Sequence, residues 1–458
     1  MAADQQNHIL AFFAAMENQG GHIVRAQTPR SLIWTCRTRF PRLLLIGQSS
    51  VPLCVDALKA AIHEAKRGRD IQRYRDAWEC IRIAAPSEPE AQWDEPWVAN
   101  TDRQNKMDTH RLETELKGYK NNLVKESIRI GHRDLGEHLE SIGDLGGAIE
   151  TYTKMRPDAS TQYHILDVGK HVIGILLQRR DWPSVLANVS KVVAGNADED
   201  QKALQPYQKM VSGLAHLGSD KYYEAARCFL EVGDPLICQQ HNDIASPNDV
   251  ATYGGLTALA SMDRAELQTR VLESSSFRNY LELEPHIRKA ISMFVNGRYS
   301  ACLSILESYR ADYMLDIYLC QHVPLLFSQI RNKCIVQYFV PFSCVTLESM
   351  NAAFAKPGES LEAELVRMIK SGVLKARINT IDKLLVAVST DSRIAMQTKG
   401  LETARKYEKE TLERIRRMSL AAADLEVKGA AKKGLPSLGD SWMDESKRQA
   451  GAGDTAMT

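Results

Sequence analysis

Apolar residues along the chain follow a helical pattern in a unit that recurs. In the stretch GDLGGAIETY, Leu145, Ala148, Ile149 and Tyr152 stand three, four and seven positions apart, so they share one helix face. Asp144 precedes the first of them, at the position where an aspartate caps the free N–H groups of a helix start. The stretch therefore predicts a helix that begins at Leu145.

The same pattern returns at three later positions, which predicts further helix starts at Trp182, Tyr222 and Tyr299. Counted from Leu145, successive helix starts are 37, 40 and 77 residues apart. The last interval is close to twice the others, and a weaker copy of the pattern, DRAELQTRV at 263–271, lies within it. Another apolar pattern of helix length precedes each copy. A helix pair repeated every 35–42 residues or so is typical of a tetratricopeptide-like array, in which each pair buries its apolar face only by stacking on its neighbours.

The first part of the chain has a different pattern. RFPRLLLIGQSS at 39–50 contains an apolar run that predicts a strand or another buried segment, and two amphipathic helices are expected after it. PSEPEAQWDEPWVANTDRQN at 86–105 is rich in proline and acidic residues, which predicts an exposed linker or loop. We therefore expect an N-terminal arm over residues 1–110 and the repeat array over 111–334.

Residues 335–390 predict a winged helix. PFSCVTLESMNAAF at 341–354 indicates a short strand or turn before a helix, and GESLEAELVRMIKSG at 358–372 indicates a second amphipathic helix. VLKARINTIDKLLVAVS at 373–389 alternates on both sides of a central turn, as a β-hairpin does. The inward positions expected on the second helix are Leu361, Leu365, Met368 and Ile369.

A charged helix is expected over 391–427 and a disordered tail over 428–458. Between residues 391 and 417 there are eight Lys or Arg and five Asp or Glu, which is a mixed, solvated face. The apolar positions of this helix form a broken stripe beyond the core of a winged helix, so it needs a partner helix or folds back onto the array. The candidate interface residues are Leu384, Leu385 and Val386 on the hairpin, and Leu401, Leu412, Ile415, Met418 and Leu425 on the stripe.

Composition and charge restrict the class of protein. The chain has 458 residues, 58 Lys and Arg against 57 Asp and Glu, and therefore no net charge that favours nucleic acid or an anionic membrane. Nine scattered cysteines without a CxxC pair are typical of reduced thiols. There is no secretory signal and no apolar run of membrane-spanning length, so we expect a soluble, intracellular protein.

The sequence lacks the common catalytic and phosphate-binding motifs. HxH, HExxH, GxSxG and GxxxxGK[ST] are all absent. His132, Asp134 and His138 stand at helical spacing, but a solvated Asp134 and a His138 on a helix seam explain them without a metal. Cys238 and His241 form a lone CxxH, whereas a zinc site needs about four ligands. We expect no catalytic residue, no metal and no cofactor.

The winged helix raises the alternative of nucleic-acid binding. A helix that enters the major groove is expected to be basic, because neutralised phosphates supply much of the affinity. The first turns of the second helix instead carry Glu359, Glu362 and Glu364. Protein contact is therefore favoured over nucleic acid.

Four stretches carry a resemblance to a known family. An array that runs into a winged helix and a terminal helix resembles the PCI-domain proteins, and the stretches are closest to the subunit 1 family of the signalosome. The matching proteasome lid subunit, which shares GDLGGAIETY in outline, is the alternative. The stretches are 39–66, 115–156, 251–291 and 316–354.

The resemblance implies a mainly α-helical, non-catalytic scaffold in the nucleus and cytoplasm. PCI subunits of this kind join through their winged helices, with PCI subunits 2 and 3 as the expected neighbours, and gather their terminal helices in one bundle. The implied assembly removes a ubiquitin-like modifier from cullin-RING ligases, which are indirect partners, and its metalloprotease lies on another subunit. No nucleic-acid or membrane partner is implied.

Overall fold

The computed structural model describes residues 36–194, 198–235, 244–355, 360–388, 392–423 and 425. These residues divide into two compact units, one ending at Ala387 and one beginning at Val388. The first unit contains a helical array and a three-stranded winged helix, and the second contains a single long helix. No described helix combines the length and the apolar character required to cross a membrane. The expected tail over 428–458 lies outside the described residues.

Three helices lead the described chain: α1 (Cys36–Ser49), α2 (Cys54–Arg67) and α3 (Ile71–Ala84). The apolar run at 39–50 therefore belongs to a helix, and the alternative of a strand was wrong. A short apolar run has the same composition in a buried helix and in a buried strand, so periodicity does not separate the two. Phe40 is among the buried residues of α1. The two amphipathic helices expected after the run are confirmed.

The next helix, α4 (Glu95–Asn122), begins inside the stretch expected to be a linker. Only residues 86–94, with a 3₁₀ turn at Pro89–Ala91, lie outside regular α-helix, so the linker prediction was wrong from residue 95 onward. Asp94 accepts a hydrogen bond from the Trp97 N–H at 3.1 Å, and a proline follows in the first turn. These residue types are typical of helix starts as well as of loops. The expected boundary at residue 110 falls inside this helix.

The helical array follows, and its predicted helix starts are confirmed. An α-helix begins at each of the predicted residues Leu145, Trp182, Tyr222 and Tyr299. The weak copy forms a short α12 (Arg264–Glu266) that continues as a π-helical turn, Leu267–Leu272. The helices are α5 (Lys125–Ile142), α6 (Leu145–Met155), α7 (Gln162–Arg179), α8 (Trp182–Ala194), α9 (Asp198–Gly218), α10 (Tyr222–Leu230), α11 (Pro247–Ser261), α13 (Ser275–Leu283), α14 (Pro285–Val295), α15 (Tyr299–Ser308), α16 (Arg310–Met314) and α17 (Val323–Phe339).

A glycine in the first helix of a pair accommodates the aromatic residue that stands seven positions after the start of the second helix. A Cβ added at Gly136 would lie 2.6 Å from Cε1 of Tyr152, and one at Gly213 would lie 2.7 Å from Cε1 of Phe229. Both pairs are separated by sixteen positions, so the same contact occurs in two repeats. Both aromatic side chains are buried. Close helix contact at these glycines therefore forms part of the repeat.

The winged helix follows α17 without a break in the core. It consists of β1 (Cys344–Thr346), α18 (Leu347–Phe354), α19 (Glu362–Lys370), β2 (Ala376–Asn379) and β3 (Leu384–Ala387). One hydrophobic cluster runs from Met210 in the array to Leu385 in the sheet, and the expected boundary at residue 334 lies within α17. The winged helix and the last array helices therefore share one core.

The second unit contains α20 (Ser392–Ala422), which corresponds to the charged helix expected over 391–427. The architecture is mainly α: a tetratricopeptide-like array, a winged helix and a long C-terminal amphipathic helix.

Candidate protein-interaction surfaces

The sheet of the winged helix has β3 in the middle, with strand order β1-β3-β2 and both pairings antiparallel. Leu385 pairs with Val345 on one side and with Ile378 on the other, and its side chain is fully buried. Leu384, Leu385 and Val386 therefore lie on the central strand, whose backbone is paired on both sides, and the free edge of the hairpin is β2. The order of strands in a sheet depends on contacts between distant segments, which local alternation does not contain.

The two free edges of the sheet are β1 and β2. Ala387 N–H donates to the Ser343 carbonyl at 2.8 Å, and Leu347 N–H donates to the Lys383 carbonyl at 2.9 Å. Because hydrogen-bonding direction alternates along an antiparallel strand, the backbone groups of Cys344 and Thr346 point away from β3. Such a row of backbone groups can accept a further strand.

Apolar side chains cover part of the outer face of this sheet. Val386 is 38% exposed and pairs with Cys344, and Leu384 is half-buried on the same face. Phe342, which precedes β1, is exposed as well. Of the three predicted hairpin residues, Leu384 and Val386 can contact another protein through their side chains, whereas Leu385 belongs to the core. Their role in an interface stays a prediction.

Helix α19 is fixed to the array by an ion pair. The Arg331 guanidinium donates to both carboxylate oxygens of Glu364, at 2.8 and 3.0 Å, and also to the carbonyl of Phe354 at 2.8 Å. Bidentate pairing of this kind orients both groups. Glu362 is exposed on the same helix, and Glu359 lies outside the described residues. Of the three glutamates that disfavour nucleic-acid binding, Glu362 is therefore the one that is described, exposed and not paired with Arg331.

The apolar stripe of α20 is exposed to solvent. On a helix with 100° per residue, Leu401, Leu412 and Ile415 lie within about 60° of one another, with Met418 about 60° further round. All four side chains are exposed. Leu425 follows the end of the helix, and its N–H donates to the Leu420 carbonyl at 3.1 Å, so its predicted place on the helical stripe was wrong. The first four residues form a surface that suits a partner helix.

Of the two histidines at helical spacing, both buried on α5, His138 lies on the seam with α4. Nε2 of His138 is 2.9 Å from Oγ1 of Thr109, and burial lowers the pKa of both His132 and His138. Asp134 is partly exposed, as expected. Among the residues that the structure describes, no group of three or more His, Cys, Asp or Glu could hold a metal ion. Cys238 and His241 lie outside that part of the chain.

Comparisons with known proteins agree with these elements. The family model described as 26S proteasome subunit RPN7 matches residues 94–270, and the PCI domain model matches residues 306–388. The first match covers the array as far as the π-helical turn, and the second covers the winged helix with the last array helices.

Three relatives that match over most of their own length carry the same name. COP9 signalosome complex subunit 1 of Neurospora crassa is 51% identical over 426 residues, which cover 93% of this chain and 95% of the relative. The protein of the same name from Emericella nidulans is 46% identical, with 86% and 82% covered. That from Arabidopsis thaliana is 35% identical, with 86% and 90% covered. The chain, with its PCI domain, therefore belongs to the family of COP9 signalosome complex subunit 1.

Proposed function

We propose that this chain is a non-catalytic scaffold subunit of the signalosome, which supports cullin deneddylation and thereby regulates cullin-RING ubiquitin ligases. Membership of the family makes other signalosome subunits its partners. The scaffold role is supported by two kinds of exposed surface. One kind is the free edges of the sheet, β1 and β2, and the other is the apolar stripe of α20. Both kinds of surface bind other proteins through backbone pairing or helix packing.

The two free edges of the winged helix support a position between two neighbours. A three-stranded sheet whose middle strand is fully paired can extend on either side, through β1 and through β2. PCI subunits 2 and 3 are the proposed neighbours at these edges. The stripe of α20 joins the remaining subunits in a helix bundle, and the complex acts in the nucleus and cytoplasm.

Affinity purification followed by a deneddylation assay tests this proposal. A tagged full-length chain is purified from cells, its partners are identified by mass spectrometry, and the purified complex is incubated with a neddylated cullin. We expect signalosome subunits and cullin-RING ligases in the eluate, together with loss of the modifier from the cullin. Proteasome regulatory ATPases in place of these partners would support the alternative of a proteasome lid scaffold.

A second assay separates scaffolding from catalysis. The isolated full-length chain is expected to leave a neddylated cullin unchanged, while the complex that contains it removes the modifier. Deneddylation by the isolated chain would contradict the non-catalytic role.

A further inference from the structure

The turn between α4 and α5 exposes an apolar side chain in an unfavourable backbone conformation. Leu123 ends α4 with φ +56° and ψ +23°, in the left-handed region that glycine and asparagine adopt more readily. Its side chain is 82% exposed. A leucine therefore occupies a position where the backbone favours glycine or asparagine and the solvent favours a polar side chain. The other non-glycine residues with positive φ in the described part of the chain, Arg180, Asp220 and Lys383, are all polar, so the apolar side chain makes Leu123 the exception.

Further exposed apolar residues lie beside Leu123. Val124 follows it directly, and Tyr119 precedes it by four positions, which places both near the same end of α4. The Tyr119 ring packs against α5 at Gly131. If Gly131 carried a Cβ, that atom would lie 2.9 Å from Cδ2 of Tyr119. We call Tyr119, Leu123 and Val124 the turn surface.

The next repeat adds to the same end of the array. Tyr163 is 72% exposed, and the neighbouring His164 is close enough to Glu126 to contribute to the lowered pKa of its carboxyl, after the larger effect of Arg129. His164, near the beginning of α7, is thus within electrostatic range of Glu126, near the beginning of α5.

Positive charge surrounds the turn surface. Residues 117–125 contain three lysines, Lys117, Lys120 and Lys125, and no acidic residue. All three are exposed, and none forms an ion pair with a carboxylate in the described part of the chain. Glu126, the first acidic residue after them, is paired with Arg129 by hydrogen bonds. The charge of the three lysines is thus available to a partner.

We propose that the turn surface is a docking site for an acidic segment of a protein that joins the complex reversibly, with an apolar anchor side chain in that segment contacting Leu123. Charge complementarity selects an acidic partner. A few apolar residues surrounded by lysines suit a transient contact, because permanent interfaces are larger and more apolar. The site lies on different elements from the sheet edges and α20, so it goes beyond the proposed scaffold role.

Site-specific photocrosslinking in the intact complex tests the docking site. Leu123 is replaced by p-benzoylphenylalanine in the full-length chain, and the crosslinked peptide is sequenced from irradiated cells. The matched control places the same amino acid at Met107, which is exposed on α4 outside the turn surface. We expect a crosslink from position 123 alone, to a segment that carries acidic residues around an apolar one, in a protein other than a signalosome subunit.

A charge-reversal variant makes the crosslink decisive. Lys120→Glu together with Lys125→Glu is expected to reduce the yield from position 123 at least tenfold, while the complement of signalosome subunits stays the same. A crosslink to a signalosome subunit, a segment without acidic residues, a yield unaffected by charge reversal, or no crosslink at all would overturn the proposal.

The stability of Leu123→Gly provides a second, independent measurement. Glycine adopts the left-handed conformation without strain, so the purified variant is expected to unfold at a higher urea concentration than the parent. The same variant is expected to lose the partner that the crosslink identifies. A lower unfolding midpoint would mean that the leucine serves the fold, and would overturn the proposal.

Discussion

The guanidinium of Arg42 donates from Nη2 to Oδ2 of Asp249 at 2.8 Å, across 207 positions of the chain. Its Nη1 donates to Oδ2 of Asp316 at 3.0 Å, and the hydroxyl of Tyr253 donates to the same oxygen at 2.8 Å. The Arg42 side chain is only 5% exposed. One buried cation thus ties α1 to α11 and to the segment before α17, and so fixes the N-terminal helices on the array.

Removal of Arg42 is expected to destabilise the first unit strongly. Burial raises the pKa of the Asp316 carboxyl, and the nearby guanidinium acts against this by lowering it. Arg42→Ala would leave two carboxylates without their cation in a buried place, a change that reduces the free energy of unfolding by about 3–5 kcal/mol. Urea unfolding followed by circular dichroism measures the difference.

An exposed arginine provides the control for this prediction. Arg111 pairs with Asp108 and Glu115 on α4, and its side chain is 61% exposed. Arg111→Ala is expected to change the free energy of unfolding by less than about 1 kcal/mol, as is usual for surface pairs. Similar losses in the two variants would show that the Arg42 network has no special role.

The close helix contact at Gly213 makes a second prediction. Gly213→Ala brings a Cβ within 2.7 Å of the buried Phe229 ring, and the shifts needed to relieve this overlap cost about 1–3 kcal/mol. Alanine favours a helix over glycine by roughly 1 kcal/mol, so the net expected effect is a modest loss of stability.

Gly118 on α4 separates the two effects, because nothing lies within 4 Å of the Cβ that an alanine would add there. Gly118→Ala is expected to raise the unfolding midpoint, through helix propensity alone. The prediction for Gly213 fails if both alanine variants are stabilised to the same extent.

The helix starts of the array could be predicted from the sequence, whereas the long-range contacts could not. Asp144 and the apolar positions after Leu145 lie within one helix, and their signal is therefore local. Arg42 stands in an apolar run with nothing near it in sequence to indicate Asp249 or Asp316. A charged residue inside an apolar run was a signal of a buried ion pair, but its partners depend on the fold.

The same distinction applies to the interaction surfaces. Both strands of the hairpin were predicted from alternation and a turn. The pairing of β1 with β3 was not, because it joins segments about forty residues apart. This pairing buries Leu385 and leaves β1 at the edge of the sheet. The stripe of α20 was predicted because its residues share one helix. Leu123 was not found, since a positive φ at leucine has no signature in composition or periodicity.

Acid is expected to destabilise the array through two buried histidines, His132 and His138, and the half-buried His216. Burial lowers the pKa of His132, His138 and His216 in the folded chain. The unfolded chain binds protons at these residues below about pH 6.5, whereas the folded chain resists protonation, so stability falls as the pH drops below that value and is level above it.

Urea midpoints at pH 7.5 and pH 5.5 measure this pH dependence. His138→Gln removes one of the three titrating groups, so the variant is expected to lose less stability between the two pH values than the parent. His63→Gln is the matched control at an exposed position of α2. An equal loss in the parent and in His138→Gln would contradict the assignment.

The stripe of α20 makes the last prediction, which concerns assembly and not folding. Leu412 is exposed in the single chain, and burial of a leucine contributes about 1.5–3 kcal/mol to an interface. Leu412→Lys removes this contribution and introduces a charge, so tagged protein is expected to retain other signalosome subunits at least tenfold less well. Met396, also exposed, lies about 160° from Leu412 around an ideal helix, so Met396→Lys is the control and is expected to retain them.

Deletion of residues 391–427 is the corresponding larger change. Because the first unit ends at Ala387 and is compact by itself, the shortened chain is expected to keep the far-ultraviolet circular dichroism and the urea midpoint of the array. It is expected to be absent from the purified complex. Undiminished co-purification of the shortened chain, or of Leu412→Lys, would mean that the sheet edges alone hold the subunit in place.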